Sequence, residues 1–300
     1  MSIRRTVVPL ATSAVLALTL AACGGTDDSD RAGASGDGAS SDSSPSAPVS
    51  TSSDAGSGDG GGTDAGEGDG GGDAATAVYF VTPGPLGDRL VREFQAGGAD
   101  LASAVDLLSG TPQDPDYTNP ASGWVQEATQ DGDEIVATVA GAAPGGDGAA
   151  LVVQQVVYTL QAAVGDTLPV RFVDADGGDV TVASGAANPV EAAPQLDTLL
   201  LVNVTDPAEG TTVSGSFTAT GRASSFEATV PWELRRGDEV VDSGFVTHEG
   251  DWATGLGPWE VTVDVSALDP GTYTFVARTD DPSGGEGPGP AEDTKDVVVR

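Results

Sequence analysis

FEATVPWELR, Phe226–Arg235, sets Phe226, Ala228, Val230, Trp232 and Leu234 against Glu227, Thr229, Pro231, Glu233 and Arg235. A period of two marks a strand with one buried face and one wet face. Trp259, Val261, Val263 and Val265 alternate in the same way against Glu260, Thr262 and Asp264. Further strands are expected at 198–204, 215–220, 239–246, 271–278 and 294–299. Turn signals separate them at Arg236-Gly237-Asp238, Asp269-Pro270-Gly271 and Asp281-Pro282-Ser283-Gly284. Residues 198–300 therefore read as an all-β sandwich, with Trp232 filling its core.

Upstream, residues 185–197 (GAANPVEAAPQLD) read as a Pro/Ala linker without an apolar face. Residues 77–184 mix periods and read as a small α+β domain. Val78–Val81 is a short apolar strand before Pro83-Gly84-Pro85, and Leu90–Phe94 is a second. Asp100 is a good N-cap for a helix carrying Leu101, Val105 and Leu108, which Gly110 can close in the left-handed region. Ile135–Val139 reads as a strand. Ala149–Val164 is ambiguous by propensity because its valines favour strand. Its length and the recurrence Val153, Val157, Leu160, Val164 argue for a buried helix ending at Gly165. Pro169–Val173 returns to strand.

These segments carry two resemblances. DPAEGTTVSGSFTATGRASSFEATVPWEL, VVDSGF, GPWEVTVDV and PGTYTFVARTDDPSG resemble the Gmad2 domain, an immunoglobulin-like module, across residues 198–300. VYFV, LVREF, ADLASAVDLLSG, QQVVYTL and VRFVDADGG resemble the GerMN domain of bacterial envelope lipoproteins, across residues 77–184. The resemblance implies an extracytoplasmic domain without transferable catalytic residues, and it favours helix for Gln154–Thr159. The seven expected strands suit an immunoglobulin-like sandwich. With one cysteine in the chain, that sandwich lacks the disulfide of antibody domains.

At the N-terminus, Arg4 and Arg5 precede an apolar stretch, Val7–Leu20, which is short for a membrane span and fits a secretory signal of residues 1–22. Leu20-Ala21-Ala22-Cys23-Gly24 resembles the lipobox of bacterial lipoproteins, which implies a diacylglycerol on Cys23 and a cell-membrane anchor on the extracytoplasmic face. Residues 23–76, rich in Gly, Ser and Asp and without Leu, Ile or aromatics, read as a disordered tether.

Composition narrows the chemistry. Forty-six acidic side chains against twelve basic ones give a net charge of −34, and Lys295 is the only lysine, which argues against nucleic acid as a partner. A single His and a single Cys exclude two-imidazole and Cys-rich metal sites. No nucleophile elbow, P-loop or dinucleotide fingerprint occurs, so a non-enzyme without cofactor is expected. Asp174, Asp176 and Asp179 begin like an EF-hand loop. Its sixth position is Asp179 and its twelfth Gly185, so the turn and the bidentate ligand are missing and the segment reads as a polar turn. His248 lacks an evident nucleophile partner and reads as a solvated loop histidine. Trp252, among the glycines of the same loop, reads as folding back over the core, with stacking on a sugar or protein partner as the alternative. His248 and Trp252 together form the candidate binding loop. The expected function is that of a lipid-anchored envelope protein binding peptidoglycan or another envelope protein. The resemblances add a germination, sporulation or envelope-signalling context. The alternative is a wall-directed glycan-binding protein or a hydrolase using surface carboxylates.

Overall fold

The structure is a computed structural model and describes residues 75–183, 187–281 and 283–300, all within one compact unit. Strands β1 (Ala75–Thr82) and β2 (Arg89–Ala96) pair antiparallel as a hairpin, with Gly87 at φ 101 taking the left-handed turn position. Strand β1 begins two residues inside the expected tether. Thr76 is buried there and donates to the Gly98 carbonyl at 2.6 Å.

Helix α1 (Leu101–Ser109) starts at Asp100, whose carboxylate accepts the Ser103 N–H at 2.8 Å. Gly110 does not close it in the left-handed region as expected. It is extended, at φ −79 and ψ −172, with its N–H on the Leu107 carbonyl. Strands β3 (Val125–Asp131), β4 (Glu134–Val139) and β5 (Val170–Val173) form a second sheet, in which β4 and β5 run parallel. The crossover between them is helix α2 (Ala149–Val164), closed by a left-handed Gly165.

Helix α2 is buried on almost every side, which explains its lack of a polar face. Two of its inward polar side chains make hydrogen bonds: Gln155 donates to Asn119 Oδ1 at 2.8 Å, and Thr159 Oγ1 accepts the Tyr79 N–H at 3.0 Å, while Gln155 Oε1 is buried without a partner. Around it Phe80, Val91, Leu108, Ile135, Leu160 and Phe172 form one core.

The expected linker packs instead of hanging free. Val190 is buried and exchanges two backbone hydrogen bonds with Val170, both 2.8 Å, as an extra edge beside β5. Asn188 clamps Phe172 through N–H and C=O at 2.9 Å each, and Tyr158 donates to the Ala193 carbonyl at 2.6 Å. A single valine flanked by prolines leaves no apolar period, so backbone and side-chain hydrogen bonds supply the docking that the pattern hides. A helical turn, α3 (Gln195–Thr198), follows.

Among the described residues the second region has eight strands: β6 (Val202–Asp206), β7 (Thr211–Val213), β8 (Ser216–Ala223), β9 (Thr229–Arg236), β10 (Glu239–Thr247), β11 (Gly257–Asp264), β12 (Gly271–Arg278) and β13 (Glu292–Val299). They form a five-stranded sheet, β10-β9-β12-β13-β7, and a three-stranded sheet, β11-β8-β6. The unexpected strand is β7, three residues that pair parallel with β13.

Trp232 and Trp259 both stack on Phe275, with centroids 6.0 and 6.4 Å apart, and Phe217 meets the same ring edge-on. Each tryptophan lies opposite a glycine on the neighbouring strand, Trp232 beside Gly244 and Trp259 beside Gly221, so its ring has room over the backbone. The alternation from Phe226 holds only from Thr229 onward. Phe226–Ala228 form a 3₁₀ turn, with Glu227 and Ala228 at φ 52 and 58, and Phe226 is 38% exposed.

Candidate recognition groove

The two regions meet along a shared seam. Val81, Leu90, Tyr158, Leu199 and Leu256 form an apolar cluster drawn from both, and the Leu200 N–H donates to the Leu90 carbonyl at 2.8 Å. Beside it lies a buried ionic network. Alternation along β13 puts Asp293 and Lys295 on the face of Val297 and Val299, toward the interior. Lys295 Nζ contacts Asp114 Oδ2, donates to the Tyr117 hydroxyl at 2.5 Å and sits 4.3 Å from that ring's centroid.

Tyr117 in turn donates to Asp293 Oδ1 at 2.7 Å. Asp293 Oδ2 accepts from the Val204 N–H at 2.6 Å and Asn203 Nδ2 at 3.1 Å. Burial pushes the Asp293 carboxyl above its ordinary range, against the pull of Lys295 and these donors. Burial, reinforced by Asp293 and Asp114, holds the Tyr117 phenol protonated far beyond the ordinary range. The buried Glu93 carboxylate accepts the N–H groups of Gln113 and Asp114 and so fixes the segment that carries Asp114.

Next to this seam a groove of about 500 Å³ opens between β2 and the three-stranded sheet. Arg92 and Phe94 line it from β2, Arg222, Thr220 and Thr205 from β8 and β6, and Glu260 from β11. Arg92 stacks over the half-exposed Phe94 ring, 4.8 Å from its centroid. Arg222 is held by the Leu256 carbonyl at 2.7 and 3.0 Å, so a carbonyl and not a carboxylate fixes its guanidinium. Elsewhere among the described residues, Arg171, Arg235, Arg236, Arg278 and Lys295 all sit in carboxylate ion pairs. The trough thus combines guanidinium donors, hydroxyls, an aromatic face and flanking carboxylate acceptors, a lining able to hydrogen-bond and stack on a polar, extended molecule.

The residues singled out in the sequence do not converge. Cys23 lies outside the described residues. Asp174 accepts the N–H groups of Asp176 and Gly178 at 2.9 and 2.8 Å, while Asp179 pairs with Arg171 Nε at 2.7 Å. The Asp174 carboxylate thus serves a turn and that of Asp179 an ion pair, while Asp176 enters through its backbone N–H. No cluster of metal-ligating side chains occurs among the described residues.

His248 is not solvated. It is 3% exposed, its Nδ1 lies 2.9 Å from the Glu249 carbonyl and its Nε2 accepts the Ser225 N–H at 3.3 Å. The hydrogen bond from its own N–H to the Ala228 carbonyl draws the ring in at the end of β10. Trp252 does not cap the core. It is 42% exposed and meets Phe226 edge-on at 5.7 Å.

The seam went unread because its partners are some 180 residues apart in sequence. One signal was present: a lysine in register with the inward valines of an alternating strand. Arg222 and Arg92 carried no comparable mark.

Comparison with known families bears on the sandwich. Residues 201–286 match the Gmad2 model, an immunoglobulin-like domain of bacterial spore germination. The matched segment runs from the residue before β6 to the loop before β13, so β8, β11, Arg222 and Trp259 fall inside it, while Asp293 and Lys295 follow it. No curated protein matches the chain. Among solved structures, the chain is similar to the neutron crystallographic structure of a Jonesia denitrificans lytic polysaccharide monooxygenase, at 19% identity and a TM-score of 0.21. The match covers 31% of this chain and 60% of that one, and a likeness this slight transfers nothing. Among the described residues no helix is long and apolar enough to cross a membrane.

Proposed function

We propose that this is a non-enzymatic extracytoplasmic envelope protein, anchored through a lipid on Cys23, whose folded head binds a cell-wall polymer. In this reading the first region is a GerMN-like domain and the tether holds the head away from the membrane. The observation that carries it is the groove beside the Gmad2 sheet, built from both regions and holding Arg92 and Arg222 in a strongly acidic chain. Threonine hydroxyls and the Phe94 ring suit sugar hydroxyls and sugar faces, and the guanidiniums suit the carboxylates or phosphates of wall polymers. The Gmad2 match supports a germination-like or envelope-signalling setting, as fold-level analogy.

Sedimentation of the purified head, residues 75–300, with isolated peptidoglycan tests the reading. Pelleting that weakens with salt is expected. A head that stays in the supernatant at low and moderate salt contradicts it, and release of soluble muropeptides contradicts the non-enzymatic part. A second reading, docking to another envelope protein, rests on the exposed aromatic pair Phe226 and Trp252 and on Phe245, which is 73% exposed. In-cell crosslinking at Trp252 separates the two readings by what is captured there.

A further inference from the structure

The only lysine of the chain is sealed between its two regions, against a carboxyl group and a proton relay. The side chains of Lys295, Asp114 and Asp293 are each no more than 3% exposed. Lys295 Nζ touches Asp114 Oδ2, while Asp114 Oδ1 accepts the Asp116 N–H at 2.8 Å. The same Nζ donates to Tyr117, and Tyr117 to Asp293 Oδ1, which itself lies 4.0 Å from Nζ. An amine nitrogen is thus held against a carboxyl whose other oxygen already has a donor, with a hydroxyl and a second carboxyl beside it.

We propose that Lys295 and Asp114 condense to an intramolecular isopeptide bond, which joins the first region covalently to the last strand of the sandwich. The ammonium first gives a proton to Asp114 Oδ2, leaving a neutral amine and a carboxylic acid. The Nζ lone pair then attacks Asp114 Cγ, and the charge that develops on Oδ1 meets the Asp116 N–H. A second proton leaves nitrogen through the Tyr117 hydroxyl to Asp293. As the C–Oδ2 bond breaks, Asp293 returns that proton to the departing oxygen, which leaves as water. One C–N bond forms, one C–O bond breaks, Asp293 ends as it began, and no oxidant, reductant or cofactor is consumed.

Three physical features favour the step. Fixed contact between the reacting groups replaces a bimolecular encounter. Two carboxylates and one ammonium are buried together, and ions sealed from water are costly, so exchanging one pair for a neutral amide and a released water relieves the site. The raised Asp293 carboxyl suits a group that takes up a proton and returns it.

Tryptic mapping of the denatured full chain decides the matter. The expected product is a branched peptide joining Glu93–Arg171 to Thr279–Arg300, lighter than their sum by one water, about 18 Da. Trypsin does not cut after an acylated lysine, so Asp296–Arg300 stays attached. A free Asp296–Arg300 peptide, with Glu93–Arg171 at its sequence mass, overturns the proposal. Lys295→Arg is expected to lose the branched peptide. Asp293→Asn is expected to keep a native circular-dichroism spectrum and lose it too, an outcome that a purely structural role does not produce. A branched peptide that persists in Asp293→Asn overturns the relay.

Discussion

A Cβ built on Gly221 would lie 1.8 Å from the Asn203 carbonyl oxygen and 2.6 Å from Cζ2 of Trp259. The first obstacle is backbone, so β6 itself has to move. We expect Gly221→Ala to destabilise the head by about 3 kcal/mol or more by overpacking, measured by chemical denaturation. Gly244 meets only the Trp232 ring, at 2.8 Å, on the edge strand β10, and Gly244→Ala is expected to cost visibly less. Lys295→Met leaves Asp114 and Asp293 buried without a cation and removes the proposed crosslink as well, and a loss of about 3–5 kcal/mol or more is expected in the same assay.

Glu233 acts on the acid side. Arg235, then Arg278, hold its carboxyl below the ordinary value of 4.5. Its contribution is therefore present above that value and is lost as pH falls through the lower folded one. Thermal midpoints of the wild type should fall more steeply than those of Glu233→Gln between about pH 5 and 3; parallel curves contradict the assignment. On the alkaline side burial pushes the Tyr158 phenol up to about 12 and raises those of Tyr79 and Tyr117. These groups keep their stability below the ordinary phenol value and lose it above, so tyrosinate absorbance should appear late and together with unfolding.

At the scale of elements, much of the architecture could be read from local pattern. Asp100 and Gly165 marked helix ends through capping chemistry, and β9 and β11 declared themselves by alternation. What escaped reading was set by partners distant in sequence. Three residues of β7 become a strand only because β13 lies beside them, and Val190 only because β5 does. His248 looked like a solvent group because a glycine-rich loop follows it, yet the Ser225 N–H needs an acceptor and takes Nε2. The groove was invisible for the same reason: its arginines stand on strands more than a hundred residues apart, brought together by the seam.

For the whole molecule, the acidic charge sets what the head can approach. A surface dominated by carboxylates repels polyanions at a distance. In the proposed function a wall polymer is met in the groove that brings the Arg92 and Arg222 guanidiniums together. Because the trough takes Arg92 from one region and Arg222 from the other, the proposed recognition requires the two regions to fold as one unit. The measurement that tests this most directly is the peptidoglycan binding isotherm of Arg222→Gln beside Arg171→Ala, whose arginine pairs with Glu134 and Asp179 away from the groove. The account predicts about tenfold weaker binding for Arg222→Gln, the scale of one charge-assisted hydrogen bond, and wild-type binding for Arg171→Ala. Equal affinity for the two variants would contradict it.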